Sequence, residues 1–371
     1  MPGHPSVAPA VVPVFASDTH RRHAPEREIE SSRFQAPYEH PGRADAIHNA
    51  LATSPSFDIR EPPPSSRAEI EAVHEPGLVE FLESAWQRYQ VAVRPTHDVV
   101  PDVFAMGGLR AGMGDGAAAT HVAAQLGARC FETTTPLTEG TFAAARSAVD
   151  CALAAAAAVE AGARLAYGLC RPPGHHATES LYGGYCFFNN AAIVAAHLVA
   201  ATCTRVAVLD VDYHHGNGTQ QIFYEREDVA FVSLHGDPAR AYPYHTGYAD
   251  ETGAGKGSGT THNVPLPAGT DDDAYLGALE SALMAVAAHD PSIVVVSLGV
   301  DTFVDDPMCD LALTTDGMGR CGARVASLGL PLVVVQEGGY ADSSLGSNVR
   351  SWLLGAASRF GSHQRSPSPR G

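Results

Sequence analysis

The chain has 371 residues and a formal net charge of −17, because 41 Asp and Glu residues outnumber 24 Lys and Arg residues. An acidic chain is poorly suited to nucleic-acid binding, which depends on neutralising phosphates, but it attracts cationic small molecules and basic peptides. We find no signal peptide and no stretch approaching the ~20 apolar residues that span a bilayer, so we expect a cytoplasmic protein without a membrane partner.

Apolar strands alternate with helices along most of the chain. We expect one folded domain at residues 11–360, between disordered tails at 1–10 and 361–371. Residues 95–127, rich in Gly and Ala, predict a long loop with short helical pieces. Strands are predicted at 164–170, 205–209, 229–234, 293–298 and 332–335, and helices at 190–201, capped by Asn189 or Asn190, and at 273–289. This order predicts an α/β fold whose mostly parallel central sheet carries helices on both faces.

The predicted strands are followed by side chains that can bind metals or transfer protons. In chain order these are His175 and His176, then Asp210, Asp212 and His214, then Asp301, and finally Tyr340. Ligands of open α/β sheets bind outside the carboxyl ends of the strands. We therefore expect these groups to meet in one crevice.

The segment Leu209-Asp-Val-Asp-Tyr-His-His-Gly-Asn217 is the strongest metal signal. Carboxylate oxygens and imidazole nitrogens are typical ligands of zinc and similar divalent ions. If Asp212, His214 and Asp301 are the ligands, a position stays open for water, as in catalytic rather than structural zinc sites. A single Asp at a strand end more often caps a helix, so the prediction depends on the three residues together.

Two consecutive histidines, His175 and His176, follow a rigid Pro-Pro-Gly turn. A metal-activated water needs a general base, which favours a catalytic pair over an ordinary surface pair. Asp210 and Asn217 are natural partners, since each can accept an imidazole N–H. Because a carboxylate raises a histidine pKa more than an amide does, the two histidines need not share one role.

Tyr340 follows two glycines that allow close approach to a ligand, and its phenol could donate a hydrogen bond to a developing oxyanion. A tyrosine merely packed after a turn is the alternative. Glu337 is expected to organise this loop rather than to catalyse. A nucleophilic Cys186 is the weaker hypothesis, because its apolar neighbours suit packing better than thiolate chemistry. The seven cysteines lack C-x-x-C spacing, which argues against a disulfide framework.

Six segments, taken together and in this order, resemble the histone deacetylase superfamily, and within it the bacterial acetylpolyamine amidohydrolases. The similarity covers roughly residues 12–358 and rests on Arg171-Pro-Pro-Gly-His-His176, Gly183-Gly-Tyr-Cys-Phe-Phe-Asn-Asn190, Leu209-Asp-Val-Asp-Tyr-His-His-Gly-Asn-Gly-Thr219, Ser233-Leu-His-Gly-Asp-Pro238, Ser297-Leu-Gly-Val-Asp-Thr-Phe303 and Glu337-Gly-Gly-Tyr340. The resemblance implies a single-domain, arginase-like α/β fold that hydrolyses an acetylated amine to acetate and free amine.

The resemblance also assigns roles to the site residues. It implies one zinc ion held by Asp212, His214 and Asp301, and a structural monovalent cation, typically potassium, at the positions of Asp210, Asp212, His214, Ser233 and Leu234. By the same likeness, His176 is the general base and acid, His175 is mainly an electrostatic partner, and Tyr340 polarises the acetyl carbonyl. His175 would pair with Asp210, and His176 with Asn217.

The tunnel positions of the family match Gly184, Tyr185, Tyr242 and Met308, although from the residues alone the two tyrosines would suit an ordinary core equally well. Several members carry Phe in place of Tyr242, and Met308 stands where some polyamine-specific relatives place a Glu. Glu28 does match an acidic residue of the polyamine enzymes and is a candidate substrate gate. Residues 107–116 match them poorly, in a loop that shapes the entrance and often a dimer contact. We expect a homodimer or higher homo-oligomer.

The leading hypothesis is a zinc-dependent amidohydrolase acting on acetylated polyamines or similar small acylated amines. A lysine deacetylase acting on proteins is the alternative, and an open rim rather than a narrow mouth would favour it. A catalytically silent scaffold would usually have lost a metal ligand, a histidine or Tyr340. An arginase-type ureohydrolase would need two manganese ions and further Asp ligands.

Overall fold

The structure is a computed structural model of the chain, and it describes residues 11–110 and 119–361. The predicted tails lie outside these ranges, apart from residue 361, which ends the last helix. Residues 111–118 of the predicted long loop also lie outside them. The described parts of that loop contain a 3-10 turn at Gly107–Arg110 and a short helix at Val122–Arg129.

The described residues contain ten strands and ten α-helices. The strands are β1 (Val12–Phe15), β2 (Glu28–Glu30), β3 (Arg33–Gln35), β4 (Phe57–Arg60), β5 (Leu165–Gly168), β6 (Val206–Asp210), β7 (Val229–Gly236), β8 (Thr261–Leu266), β9 (Ile293–Leu298) and β10 (Leu332–Gln336). The helices are α1 (Pro41–Ala52), α2 (Arg67–Glu71), α3 (Pro76–Ala92), α4 (Val122–Arg129), α5 (Thr141–Glu160), α6 (Asn190–Thr202), α7 (Asn217–Phe223), α8 (Asp272–His289), α9 (Thr315–Ala326) and α10 (Asp342–Gly361). Two further 3-10 turns lie at Asp18–Arg22 and Gly255–Gly257.

Eight of the described strands form one sheet in the order β4-β1-β5-β10-β9-β6-β7-β8, and every neighbouring pair is parallel. The remaining two, β2 and β3, form a separate antiparallel hairpin. The predicted α/β fold with a mostly parallel sheet is confirmed. The sequence patterns place five of these strands within two residues of their observed ends, and Asn189 caps α6 by accepting the N–H of Ala192.

The sheet is buried on both faces, as its continuous apolar strands predict. Alternate residues of β6 enter different core clusters: Val206 and Val208 pack on one face, and Ala207 and Leu209 on the other. A buried Val or Leu side chain is worth about 1.5–3 kcal/mol relative to an exposed one. Burial on both faces therefore fixes the central strands, and with them the loops at their carboxyl ends.

Helix α5 corrects one expectation from the sequence. It has 20 residues and a mean hydropathy of 1.5, so by length and composition it could cross a membrane. Two thirds of its apolar window is buried, however, and the helix packs on β1, β5, β10 and α6. Among the described residues, no other helix is both long and apolar enough to cross a membrane. This packing identifies α5 as a core helix, which explains its alanine-rich, apolar sequence.

Candidate active site

The side chains expected in one crevice come from the carboxyl ends of four adjacent strands. Strands β5, β10, β9 and β6 are neighbours in the sheet, although they are far apart along the chain. The loops that follow them carry His175 and His176, Tyr340, Asp301, and the pair Asp212 and His214, in that order across the sheet. The sheet order therefore brings together groups that the sequence separates by more than a hundred residues.

Asp212, His214 and Asp301 form a compact cluster of potential metal ligands. One ligand atom from each lies within 4.8 Å of the others, and all three residues are buried. The Nδ1 atom of His214 is 3.0 Å from Oδ2 of Asp301 and 3.4 Å from Oδ1 of Asp212. The backbone N–H of His214 also donates to Oδ1 of Asp212, at 2.8 Å. Two carboxylates and one imidazole are a donor set that zinc accepts.

The electrostatics of this cluster favour a bound cation. Burial and the neighbouring charge of Asp212 raise the pKa of Asp301 to about 7. Two buried carboxylates this close are costly unless a positive charge compensates them. Gly338 permits their approach: its N–H donates to Asp212 at 2.7 Å, and a Cβ there would lie 2.4 Å from Oδ2 of Asp301. The residues present thus fit a divalent metal ion.

The two histidines have different partners, as the sequence suggests. Nδ1 of His175 is 3.0 Å from Oδ2 of Asp210, whereas Nδ1 of His176 is 2.7 Å from Oδ1 of Asn217. Burial opposes a charged His175, but Asp212 and Asp210 outweigh it and raise its pKa to about 10. Burial and the nearby charge of His175 lower the pKa of His176 well below its ordinary value.

Glu337 holds the histidine loop in place. Its buried carboxylate accepts the backbone N–H groups of Gly174, at 2.6 Å, and of His175, at 3.2 Å. The expected loop-organising role of Glu337 is therefore seen in the hydrogen bonds. This contact links the loop after β5 to the loop after β10, which are neighbours in the sheet.

Tyr340 is fixed by residues that sequence patterns do not single out. The guanidinium of Arg43 lies 4.6 Å from the centroid of the Tyr340 ring, and it donates to the carbonyl oxygens of Gly339 and Glu337 at 2.6 and 2.8 Å. Asp306 accepts the backbone N–H of Tyr340 at 2.6 Å. Arg43 and Asp306 are both buried. Arg43 comes from α1, almost three hundred residues away, so no local signal could reveal it.

A second buried arginine strengthens this support. Arg171 donates to both carboxylate oxygens of Glu39, at 2.8 and 3.0 Å, and Arg43 donates to the same group at 3.0 Å. Burial alone would raise the pKa of Glu39, but the two guanidinium groups lower it to about 2. The only signal in the sequence is that Glu39 and Arg43 are four residues apart, which is too common to be informative.

A cavity of about 520 Å³ reaches the side chains of His176, His214 and Tyr340. Its wall contains the four predicted tunnel residues, Gly184, Tyr185, Tyr242 and Met308. The rest of the wall comes from residues 29–31, 131–134 and 243–245. His176 and Tyr340 therefore share one cavity with the predicted tunnel residues.

Position 184 of this wall has no room for a side chain. Its φ is +59°, and a Cβ would lie 2.4 Å from Cδ2 of His176. The next residue, Tyr185, also has a positive φ of 66°. A tyrosine in this conformation is strained, and such strain is typical of ligand-binding loops. The turn brings both the backbone and an aromatic ring against the cavity.

The potassium positions implied by the resemblance also lie together. Asp210 is the register neighbour of Ser233 across β6 and β7, and both are fully buried with Leu234. The hydroxyl of Ser233 contacts Nδ1 of His235 at 2.8 Å.

Cys186 is buried, and burial raises the pKa of its thiol well above the ordinary value, which disfavours a nucleophilic role.

Comparison with known proteins identifies the family. The sequence model of the histone deacetylase domain matches residues 37–356. The chain belongs to the histone deacetylase family. It is accordingly a hydrolytic deacetylase, and its single-domain α/β fold is the fold of that family.

Several relatives cover nearly the whole of this deacetylase. The chain is 42% identical to acetylpolyamine amidohydrolase 1 of Pseudomonas aeruginosa over 339 residues, which is 91% of this chain and 97% of the relative. It is 40% identical to the acetylpolyamine amidohydrolase of Mycoplana ramosa over 356 residues, covering 93% and 99% of the two chains. The crystal structure of an acetylpolyamine aminohydrolase from Burkholderia pseudomallei superimposes with a TM-score of 0.88 at 39% identity, covering 94% of this chain and 99% of that one.

The predicted gate residue, Glu28, is buried, and Glu30 of the same strand lines the cavity. Glu28 is 1% exposed and is absent from the described residues that line the cavity. Burial raises the pKa of its carboxyl to about 7. Two residues further along β2, Glu30 lines the cavity instead.

Proposed function

We propose that the protein is a zinc-dependent amidohydrolase that removes acetyl groups from acetylated polyamines or similar small acylated amines. The observation that carries this proposal is the buried cluster of Asp212, His214 and Asp301 at a cavity that also contains His176 and Tyr340. That combination supplies the groups needed to hold a metal, move a proton and polarise a carbonyl.

The proposed ligands of the zinc ion are Asp212, His214 and Asp301. When bound, zinc would lower the pKa of a water molecule and polarise the acetyl carbonyl as a Lewis acid. Their donor types and burial support this assignment, and so does the cost of leaving the two carboxylates uncompensated.

His176 is proposed as the general base and acid. Asn217 offers a carbonyl oxygen to Nδ1 of His176, so Nδ1 carries the hydrogen and Nε2 keeps a lone pair. The lowered pKa keeps this ring neutral and able to accept a proton from water. The same nitrogen then delivers the proton to the departing amine, which balances the hydrolysis.

His175 is proposed as an electrostatic partner rather than a base. Its raised pKa keeps the ring protonated near neutral pH, where it donates to Asp210. The two rings have centroids 4.0 Å apart, so the charge of His175 disfavours a second charge on His176. This charge makes His176 readier to release the proton that it has taken up.

Tyr340 is proposed to donate a hydrogen bond to the acetyl oxygen as negative charge develops there. Burial raises the pKa of Tyr340 well above its ordinary value, so the hydroxyl keeps the proton that it must donate. The carbonyl of Gly184 is proposed to meet the substrate amide, with the rings of Tyr185 and Tyr242 around the alkyl chain.

The choice of substrate rests on two kinds of support. The relatives at 40–42% identity over almost their full length are named acetylpolyamine amidohydrolases. The described residues that line the cavity include two glutamates but no Lys or Arg, which suits a cationic substrate. A protein lysine deacetylase is the alternative, because the matching domain model is that of histone deacetylases.

The test compares substrates on the zinc-loaded protein. We would measure kcat/KM for N-acetylputrescine, N8-acetylspermidine and an acetyl-lysine peptide by acetate release. We expect at least a tenfold preference for the polyamines, about 1.4 kcal/mol in transition-state free energy. A preference for the peptide would establish the lysine deacetylase instead, and no turnover of any substrate would contradict the proposed activity.

Three further parts of the proposal concern a structural cation, the oligomeric state and the cellular location. We propose a structural potassium ion at Asp210, Asp212, His214, Ser233 and Leu234, tested by thermal unfolding in potassium against choline salts. We propose a homodimer or higher homo-oligomer, supported by the exposed apolar side chains of Val103, Met106 and Leu109 and tested by light scattering. A cytoplasmic location completes the proposal, and cell fractionation would test it.

A further inference from the structure

The hairpin of β2 and β3 places two carboxylates on one face of a strand. Glu28 and Glu30 are two residues apart on β2, so their side chains point to the same side. The hydroxyl of Thr133 donates to the carbonyl of Ile29 at 3.0 Å, which ties the hairpin to the cavity wall. The two acidic groups therefore have fixed positions beside the cavity.

One amide group serves both carboxylates. Nε2 of Gln35, on β3, donates to Oε1 of Glu28 at 2.8 Å and to Oε2 of Glu30 at 2.6 Å. The other oxygen of Glu28, Oε2, is buried and has no hydrogen-bond partner among the described residues. The pair thus combines two acidic groups and one unsatisfied buried oxygen around a single neutral donor, and a nearby cation would stabilise this arrangement.

The two glutamates differ in their access to the cavity. Glu30 is half-buried and lines the cavity, whereas Glu28 is buried behind the wall. The other acidic residue of the wall, Glu132, already accepts hydrogen bonds from Thr134, Thr135 and the backbone of Gly184. Among the described residues, Oε1 of Glu30 has no such partner, so this oxygen is available to a ligand.

We propose that Glu30, oriented by Gln35, binds the free ammonium group of an acetylated diamine or polyamine whose acetyl group lies at Tyr340. Glu28 lies behind the wall and does not touch the substrate. This inference rests on the proposed function and names the residue that selects a cationic substrate. It assigns to Glu30 the task that the family resemblance alone would give to Glu28.

The physical basis is a charge pair in a partly buried setting. An ammonium group has three N–H donors and needs a carboxylate acceptor when it leaves water. In a partly buried site, the effective dielectric constant is well below that of water, so the pair is stronger than one on an open surface. Cross-strand Arg33 is the register neighbour of Glu30, but no ion pair joins their side chains. Among the described residues, no cationic side chain therefore competes with a substrate for the carboxylate of Glu30.

The experiment compares a charged substrate with a neutral one of the same shape. N-acetylputrescine and N-pentylacetamide differ only in having an ammonium or a methyl group at the far end. We would measure kcat/KM by acetate release for the wild-type holoenzyme and for Glu30→Gln, Glu28→Gln and Glu26→Gln. Glu26 is an exposed residue of the same segment outside the cavity wall, so its variant matches the change in net charge.

We expect Glu30→Gln to lower kcat/KM for N-acetylputrescine about tenfold, mainly through KM, and to leave N-pentylacetamide unchanged. Glu26→Gln should leave both substrates unchanged, and Glu28→Gln should cost N-acetylputrescine less than Glu30→Gln does. The proposal is overturned if Glu30→Gln affects both substrates equally or neither, or if the selective loss belongs to Glu28→Gln.

Binding of the product separates this inference from the proposed function. Putrescine and pentylamine would be titrated calorimetrically into the wild type and into Glu30→Gln. We expect the wild type to bind putrescine more tightly and the variant to lose that preference, whether or not the enzyme turns over either amide. An absence of turnover with this result contradicts the proposed activity alone. An unchanged preference in Glu30→Gln contradicts the role of Glu30 alone.

Discussion

The substitution Tyr340→Phe isolates the hydroxyl that we propose as the hydrogen-bond donor to the substrate. The ring is held by the guanidinium of Arg43 at 4.6 Å, by an edge contact with Tyr38 at a centroid distance of 6.5 Å, and by a tilted contact with Tyr185 at 5.8 Å. Phenylalanine keeps all of these contacts. The hydroxyl makes no hydrogen bond to any described residue, so the free energy of unfolding should change little.

Tyr340→Phe should therefore lower kcat rather than the free energy of unfolding. Removing one donor from a preorganised oxyanion site lowers kcat by about 10²–10³, or about 2.7–4 kcal/mol. Tyr340 lies in the cavity with the reacting groups and is 9% exposed, so water is poorly placed to replace the lost donor. We expect a loss of this size in kcat, a smaller change in KM, and an unchanged zinc content.

The assay is acetate release from N8-acetylspermidine, with zinc measured by elemental analysis and stability by urea unfolding. Tyr38→Phe is the matched control, because it removes a phenol hydroxyl from the neighbouring ring, which lies outside the cavity wall. Full activity in Tyr340→Phe would refute the proposed role. A loss accompanied by lost zinc or by unfolding would show that the tyrosine supports the site and does not act as the donor.

Three further predictions concern the metal, the support of Tyr340, and pH. Asp301→Ala should lose zinc, and stoichiometric zinc in that variant would show the ligand set to be wrong. Asp306→Ala should lower kcat about tenfold in the wild type, but it should add nothing in the Tyr340→Phe background if Asp306 acts only through the tyrosine; additive losses would contradict this. Burial lowers the pKa of His74 to about 4, below its value of about 6.5 in the unfolded chain. Below pH 6.5 the unfolded chain therefore binds a proton that the folded protein does not, so stability present above pH 6.5 is lost as the pH falls toward 4. The slope is about 1.4 kcal/mol per pH unit at most, and urea unfolding at pH 7.5 and 5.0 should show a smaller pH difference for His74→Gln than for the wild type.

Two of the proposed zinc ligands and the histidine pair could be named from the sequence because their signals are local. Asp212 and His214 occupy one short segment after a strand, and His175 and His176 are consecutive. Strand patterns also placed each group at a carboxyl end, where α/β sheets bind ligands. Such residues are recognisable because the chemistry requires particular side chains at fixed spacing.

The supporting residues could not be named in this way. Arg43 reaches Tyr340 from α1, and Glu39 and Arg171 are joined only when the loop after β5 packs against the segment before α1. A buried ion pair leaves no periodic signal, since either partner alone resembles a surface charge. Only the packed structure distinguishes these residues from the other charged residues of the chain.

The sequence by itself determined the α/β class, the parallel sheet and the identity of the groups at the strand ends, because apolar periodicity and short motifs are local properties. The tertiary structure decided which side chains share the cavity. It placed β5, β10, β9 and β6 side by side, buried Glu28 and left Glu30 at the cavity wall. The physical reason is that the order of the strands depends on burying both faces of the sheet at once, and this requirement involves residues from the whole chain.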